Sequence, residues 1–107
     1  MKARGERSLR ESEAIRLLAQ RLASKGAEVR LGIGDDAALL EPGPGVLVWT
    51  VDSCLEGAHF ERRLLEPGDI ARKALNAAVS DLAAMGARPL GALSALELPP
   101  RFSKKDL

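Results

Sequence analysis

The sequence predicts an α+β fold, a mixed β-sheet with helices packed on one face, in a single domain of 107 residues. Three observations carry that expectation. Apolar residues recur at helical intervals in two separate stretches, 8–25 and 69–85. The run "VLVWTVD" at 46–52 is rich in β-branched residues. Shorter apolar runs punctuated by Gly and Pro fill the intervals, giving the order α-β-β-β-α-β.

Each element has its own reason. In "SLRESEAIRLLAQRLASK" (8–25), Ser8 and Glu11 stand at capping-box spacing and Ile15, Leu18 and Leu22 form the stripe. Gly26 follows as a stop. "EVRLGIG" and "DAALLE" read as short strands around the glycines, and "PGPG" (42–45) as a tight connection. Strand 46–52 comes next. The longest helix runs from Asp69, a suitable N-cap, to Met85, with Gly86 as the C′ residue. "RPLGALSALELPP" (88–100) supplies a last strand ending at the double proline. Strand 46–52 is apolar on both faces, with Val46 and Val48 on one and Leu47, Trp49 and Val51 on the other. Two helices cover one face; the other is expected to pair with a second copy, making a homodimer.

Composition narrows the class. Charges are balanced at a formal net +1, and the aromatic residues are only Trp49, Phe60 and Phe102. A basic surface with stacking aromatics is missing, which argues against nucleic-acid binding. No apolar run reaches membrane-spanning length, and "MKARGERSLRE" has no apolar region after its charges. With Cys54 the single cysteine, a cytoplasmic setting is expected.

"GIGDDAAL" (32–39) formally satisfies a dinucleotide fingerprint through Gly32, Gly34 and Ala37. That motif needs a helix opening directly after the glycines, so that N–H groups face the pyrophosphate. Here Pro42 arrives too soon, and Asp35 and Asp36 would repel the anion. No G-K-[ST] ending offers a Walker loop either. Phosphate near these acids requires a divalent cation between them.

Other acids fit the same partner. Alternation puts Thr50 and Asp52 on one side of the strand end, a pair of oxygen donors suited to a hard cation. Asp52 equally suits the start of a turn, and spacing does not decide between the two. Asp81 is expected inside the apolar stripe of its helix, at about 20° from Ile70, with Lys73, Asn76 and Ser80 on the solvent side. A carboxylate buried there must be protonated, paired with Arg or Lys, or metal-bound. His59, in "EGAHF", has no nucleophile or zinc-ligand spacing around it, and Cys54 has no activating neighbour. The residues alone therefore point to a domain that collects Asp carboxylates around Mg²⁺, with phosphate chemistry as the natural use.

"LGIGDDAALL", "TVDSCLEGAHF" and "KALNAAVSDLAAMGARP", in that order, resemble the N-terminal domain of the thiamine-monophosphate kinase family. This family belongs to a superfamily with aminoimidazole ribonucleotide synthetase, selenophosphate synthetase and a hydrogenase-maturation protein. The resemblance implies an aminoimidazole ribonucleotide synthetase-like domain over 1–107 that uses ATP to phosphorylate thiamine monophosphate to thiamine diphosphate. Carried over by position, the metal ligands are Asp36, Thr50, Asp52 and Asp81, with Val51 contributing its backbone. His59 is the implied substrate contact, and Asp35 is expected to point away or assist indirectly. The family carries Asn two residues before the Ser80–Asp81 pair where this chain has Ala78. No residue resembles a covalent nucleophile, so direct Mg²⁺-assisted transfer is implied.

Members of that family are considerably longer, so this chain is expected to be a truncated part, catalytically silent alone. Two alternatives stand beside the kinase reading. One is another ATP-using superfamily member such as selenophosphate synthetase, although Cys54 lies well past that enzyme's reactive position. The other is a non-catalytic dimerisation and metal-binding module.

Overall fold

A computed structural model describes residues 8–22 and 26–107 of the chain. Its elements are α1 (Glu11–Arg21), β1 (Val29–Leu31), β2 (Leu39–Leu40) and α2 (Pro67–Ala84), in that order. They fall into two compact units, Met1–Pro42 with Gly91–Leu107, and Gly43–Leu90. The fold is α+β as expected, but among the described residues the sheet is two-stranded and antiparallel, in place of a larger mixed one.

In the first unit, α1 opens at Arg10, whose extended backbone lets its carbonyl accept the N–H groups of Glu13 (3.0 Å) and Ala14 (2.9 Å). The expected Ser8 capping box is not made, because the helix begins three residues further on and no side chain caps it. Glu11 and Glu13 instead put negative charge on the first turn, where the helix dipole favours it. The last turn closes when the Leu22 N–H reaches the Leu18 carbonyl at 2.8 Å. The expected residues 23–25 of this helix lie outside the described residues. Ala14, the buried hydrophobic residue among those described, sits on this helix.

The two glycine-flanked runs do pair. Val29 stands opposite Leu40 and Leu31 opposite Leu39, with an irregularity between them, and the Glu41 N–H extends the pairing to the Glu28 carbonyl at 2.8 Å. Gly91 passes against this pair: a Cβ on it would meet Leu40 and Val29 side chains at 3.7 Å. The expected last strand, 88–100, is not formed, and Gly91 meets the pair without joining its ladder. The segment ends as the prolines demand. Pro100 precedes Arg101 at φ 65°, and the Phe102 N–H returns to the Pro99 carbonyl at 3.3 Å, a turn with Pro at its second position. Among the described residues α1 does not pack on the sheet; it is tied to the chain end. Lys104 forms an ion pair with Glu13, and Arg21 Nη2 donates to the Lys104 carbonyl at 3.4 Å.

In the second unit, residues 46–52 form no strand. β-propensity supplies side chains that suit a sheet, but a strand exists only where a neighbour completes its hydrogen bonds. Val46 and Val51 are accordingly left 95% and 96% exposed. Helix α2 is the ordered element here. Pro67 takes the N1 position after the extended Glu66, whose carbonyl accepts from Asp69 (2.9 Å) and Ile70 (3.1 Å). Asp69 therefore lies in the first turn, where it pairs with Arg72 at 2.9 Å, and is not the N-cap. The C-terminus matches expectation. Gly86 adopts φ 66°, its N–H bonds Ala83 at 3.0 Å, and the Ala87 N–H bonds Leu82 at 2.9 Å, a Schellman closure. No helix among the described residues is long and apolar enough to cross a membrane.

Two outcomes follow from these closures. Gly86→Ala forces a Cβ into the left-handed region and should cost about 1 kcal/mol, measured by urea denaturation. The Lys104 hydrogen bond holds the Glu13 carboxyl below its ordinary range. Because the folded value is depressed, the bond's contribution is present above the unfolded pKa and is lost as pH falls through the folded one. NMR titration should find the Glu13 midpoint below 4.5 and Lys104→Met should raise it; equal midpoints in the two proteins would contradict the pairing.

Candidate functional site

The glycine loop of the first unit behaves as its sequence requires. Gly34, at φ 128°, makes a turn that L side chains rarely adopt, and the chain then enters β2 with no helix between. This geometry excludes the dinucleotide cradle. Asp35 and Asp36 are both exposed, and the Asp35 carboxylate accepts the Asp36 N–H at 2.8 Å. Asp35 thus serves its own turn, while the carboxylate of Asp36 stands at the surface of this unit.

In the second unit the structure brings Thr50 and Asp81 together. The Thr50 hydroxyl donates to Asp81 Oδ2 at 3.2 Å, across 31 residues of sequence. Asp52 follows two residues along the same segment, exposed, with one oxygen accepting the Ser53 N–H at 2.8 Å. Val51 lies between them with its side chain in solvent. Among the described residues no three His, Cys, Asp or Glu side chains group as a metal centre. What gathers is an oxygen pair, one hydroxyl and one carboxylate.

Asp81 is exposed, which corrects the expectation of a buried carboxylate. The half-buried positions of α2 include Ile70, Ala74, Ala78 and Leu82, a stripe advancing by four residues. By angle Asp81, at about 20°, falls between Ile70 at zero and Ala74 at about 40°. Yet the half-buried residues nearest it in the chain, Ala78, Val79 and Leu82, lie at about 80°, 180° and 120°, so the covered face has turned away from it. Met85, assigned to the same stripe, is 70% exposed. The helical wheel gave the angle of Asp81 but not the turn of the covered face along the helix, and so expected burial where there is exposure.

His59 is held by its own loop. Its N–H donates to the Leu55 carbonyl at 2.8 Å, and the Leu55 N–H donates to its Nδ1 at 3.0 Å. Gly57, at φ 82°, turns the chain so that its N–H reaches the Phe60 carbonyl at 2.8 Å. Lys73 of α2 donates its ammonium to the His59 carbonyl. An open recess of about 400 Å³ is lined by His59, Phe60, Glu61, Leu64, Leu65 and Lys73. Its acid, Glu61, is bonded to Arg63, whereas Lys73 bonds a neutral carbonyl, so the lysine's charge is not neutralised by that contact. An apolar wall beside a cation and an imidazole suits an anionic group carried on an apolar body. Lys73 escaped the sequence reading, which assigned it to the solvent face with Asn76 and Ser80. No spacing rule distinguishes a lysine that reaches a carbonyl from one in water. Cys54 is a free, half-buried thiol outside both groups.

Residues 34–107 match the family AIR synthase related protein, N-terminal domain. Among curated proteins, the thiamine-monophosphate kinase of Escherichia coli (strain K12) is 46% identical over 80 residues, covering 74% of this chain and 24% of that protein. Its counterpart in Bacillus subtilis (strain 168) is 39% identical over 82 residues, 76% of this chain and 25% of that protein. That of Synechococcus elongatus is 49% identical over 67 residues, 62% and 20% respectively. The chain spans about a quarter of the length of the curated relatives it matches. No solved structure matches it. The matched stretch holds Asp36, Thr50, Val51, Asp52, His59 and Asp81 together, and this chain belongs to the AIR synthase related protein, N-terminal domain family.

Proposed function

We propose that this chain is the metal- and ATP-site domain of a thiamine-monophosphate kinase, transferring the γ-phosphoryl group of ATP to the phosphate of thiamine monophosphate. The observation that carries the reading is the Thr50–Asp81 contact at 3.2 Å, in which a half-buried hydroxyl and an exposed carboxylate meet from distant segments inside the family match. Kinase names on three relatives at 39–49% identity support the same activity.

The donor chemistry fits Mg²⁺. Every side chain in the set, Asp36, Thr50, Asp52 and Asp81, offers oxygen, and Val51 offers a carbonyl, as a hard cation prefers. The three carboxylates are exposed to solvent. Bound Mg²⁺ supplies charge neutralisation where two anionic reactants meet. The protein's own part is to hold the oxygens: Thr50 orients Asp81 by donating to one of its oxygens, and Asp52 has one oxygen tied to Ser53. His59 and the recess beside it receive the thiamine phosphate. In this reading transfer is direct and depends on positioning.

Two finer parts belong to this reading. The exposed Val46, Trp49 and Val51 are the surface through which two copies pair as a homodimer. Lone Cys54, without a disulfide partner, accords with the cytoplasm.

Thermal melts test the metal set on this chain: Mg²⁺ should raise the melting temperature and Asp81→Asn should remove most of that response. An equal response in both proteins would defeat the assignment of Asp81. Turnover is read on the gene product carrying this domain, with ATP, Mg²⁺ and thiamine monophosphate. Asp52→Asn should lower kcat by about 100-fold or more. His59→Ala should raise the KM for thiamine monophosphate while sparing that for ATP; the opposite split would remove His59 from the substrate side.

A further inference from the structure

The loop that carries His59 has an unusual dependence on one side chain outside it. Residues 55–60 close on themselves through backbone bonds: Ala58 and His59 N–H to the Leu55 carbonyl, at 3.2 and 2.8 Å, and Gly57 N–H to the Phe60 carbonyl. All these residues except Phe60 are exposed, so water competes for every bond and no packed core enforces the turn. Lys73 ties this loop to α2, because its ammonium donates to the His59 carbonyl from the helix. The bond is charge-assisted, stronger than a neutral amide pair of the same length.

The consequence falls on the imidazole. Its Nδ1 accepts the Leu55 N–H at 3.0 Å, so in the neutral ring the proton resides on Nε2. That bond exists only while the loop holds Leu55 and His59 four residues apart in this turn. Opening the loop frees Nδ1 and lets the ring take either tautomer.

We propose that Lys73 is a positioning residue for His59: its bond to the His59 carbonyl keeps the Leu55–Phe60 loop closed, so that Nε2–H is the donor the ring offers beside the recess. The inference rests on the proposed role of His59 toward substrate phosphate, for which a fixed N–H donor is the useful state. It differs from a direct contact between Lys73 and a ligand, because the effect on the ring is present with nothing bound.

His59 is the single histidine of the chain, so its ring nitrogens give one unambiguous set of ¹⁵N resonances. The test uses the labelled protein without metal or phosphate, at a pH of about 8, above the ordinary imidazole range. In the parent, Nδ1 should resonate as an unprotonated nitrogen and Nε2 as a protonated one. Lys73→Met should move both toward the tautomer average and speed Leu55 amide exchange by about tenfold. Lys73→Arg, which keeps a cationic donor, should retain the parent pattern. A parent ring protonated on Nδ1, or a Lys73→Met protein with parent ring shifts and parent Leu55 exchange, overturns the proposal. Should Lys73→Met fail to fold, Lys73→Gln is read in the same way, and parent ring shifts with parent Leu55 exchange in that protein overturn the proposal. Since no substrate is used, a gene product without kinase activity but with a locked ring would refute the function and leave the role of Lys73 standing.

Discussion

Helix α2 is the frame on which the chemistry of residues 43–90 hangs, and two side-chain bonds do the hanging. Thr50 reaches Asp81 near its C-terminal end, and Lys73 reaches back to His59 from its N-terminal half. Both bonds join segments that own little regular structure to the most regular element in the unit. The frame itself rests on sharply defined ends, Pro67 at the first helical position and Gly86 beyond the last. If the whole helix shifted by one residue against the segments it holds, every side chain of α2 would present itself about 100° away, and neither bond could form.

This explains which parts of the fold were legible in the sequence. The C-terminal end of α2 was readable because Gly86 solves a local problem, a left-handed residue that any other side chain resists. The start was misread by two residues, since Asp69 suited an N-cap but Pro67 suits N1 even better, and proline has fewer alternatives. β1 and β2 were readable as short strands around the glycines, whereas their pairing with each other came from the structure. Strand 46–52 was not readable in this way, because its apolar, β-branched composition states what the segment would bury and not what lies beside it. A sheet is a non-local agreement, and one segment's composition holds only half of it.

The site divides along the same line. Asp36, Thr50 and Asp52 were singled out by residue type at turns and segment ends, where carboxylates and hydroxyls carry local meaning. His59 had no such signal and came forward only through the resemblance of "EGAHF" to a known family. Lys73 came forward through neither. Its role is defined by a carbonyl fourteen residues away, and a carbonyl leaves no mark in a sequence.

The exposure of Asp81 changes the energetics of the proposed metal set more than its membership. A carboxylate in an apolar interior would need its counter-ion for folding itself, since an unpaired buried charge costs several kcal/mol, on the order of a small domain's whole stability. At the surface Asp81 is solvated, and its neighbour Thr50 donates only a neutral hydroxyl hydrogen bond. The fold therefore does not depend on a cation to neutralise this acid. Any cation energy is then available for ligand binding, apart from the water that must be displaced from ion and carboxylates. The proposed set would fill and empty with its ligands. That suits a cation that arrives with a nucleotide and leaves with the product, where a structural ion locked into a core would hold the acids in one state.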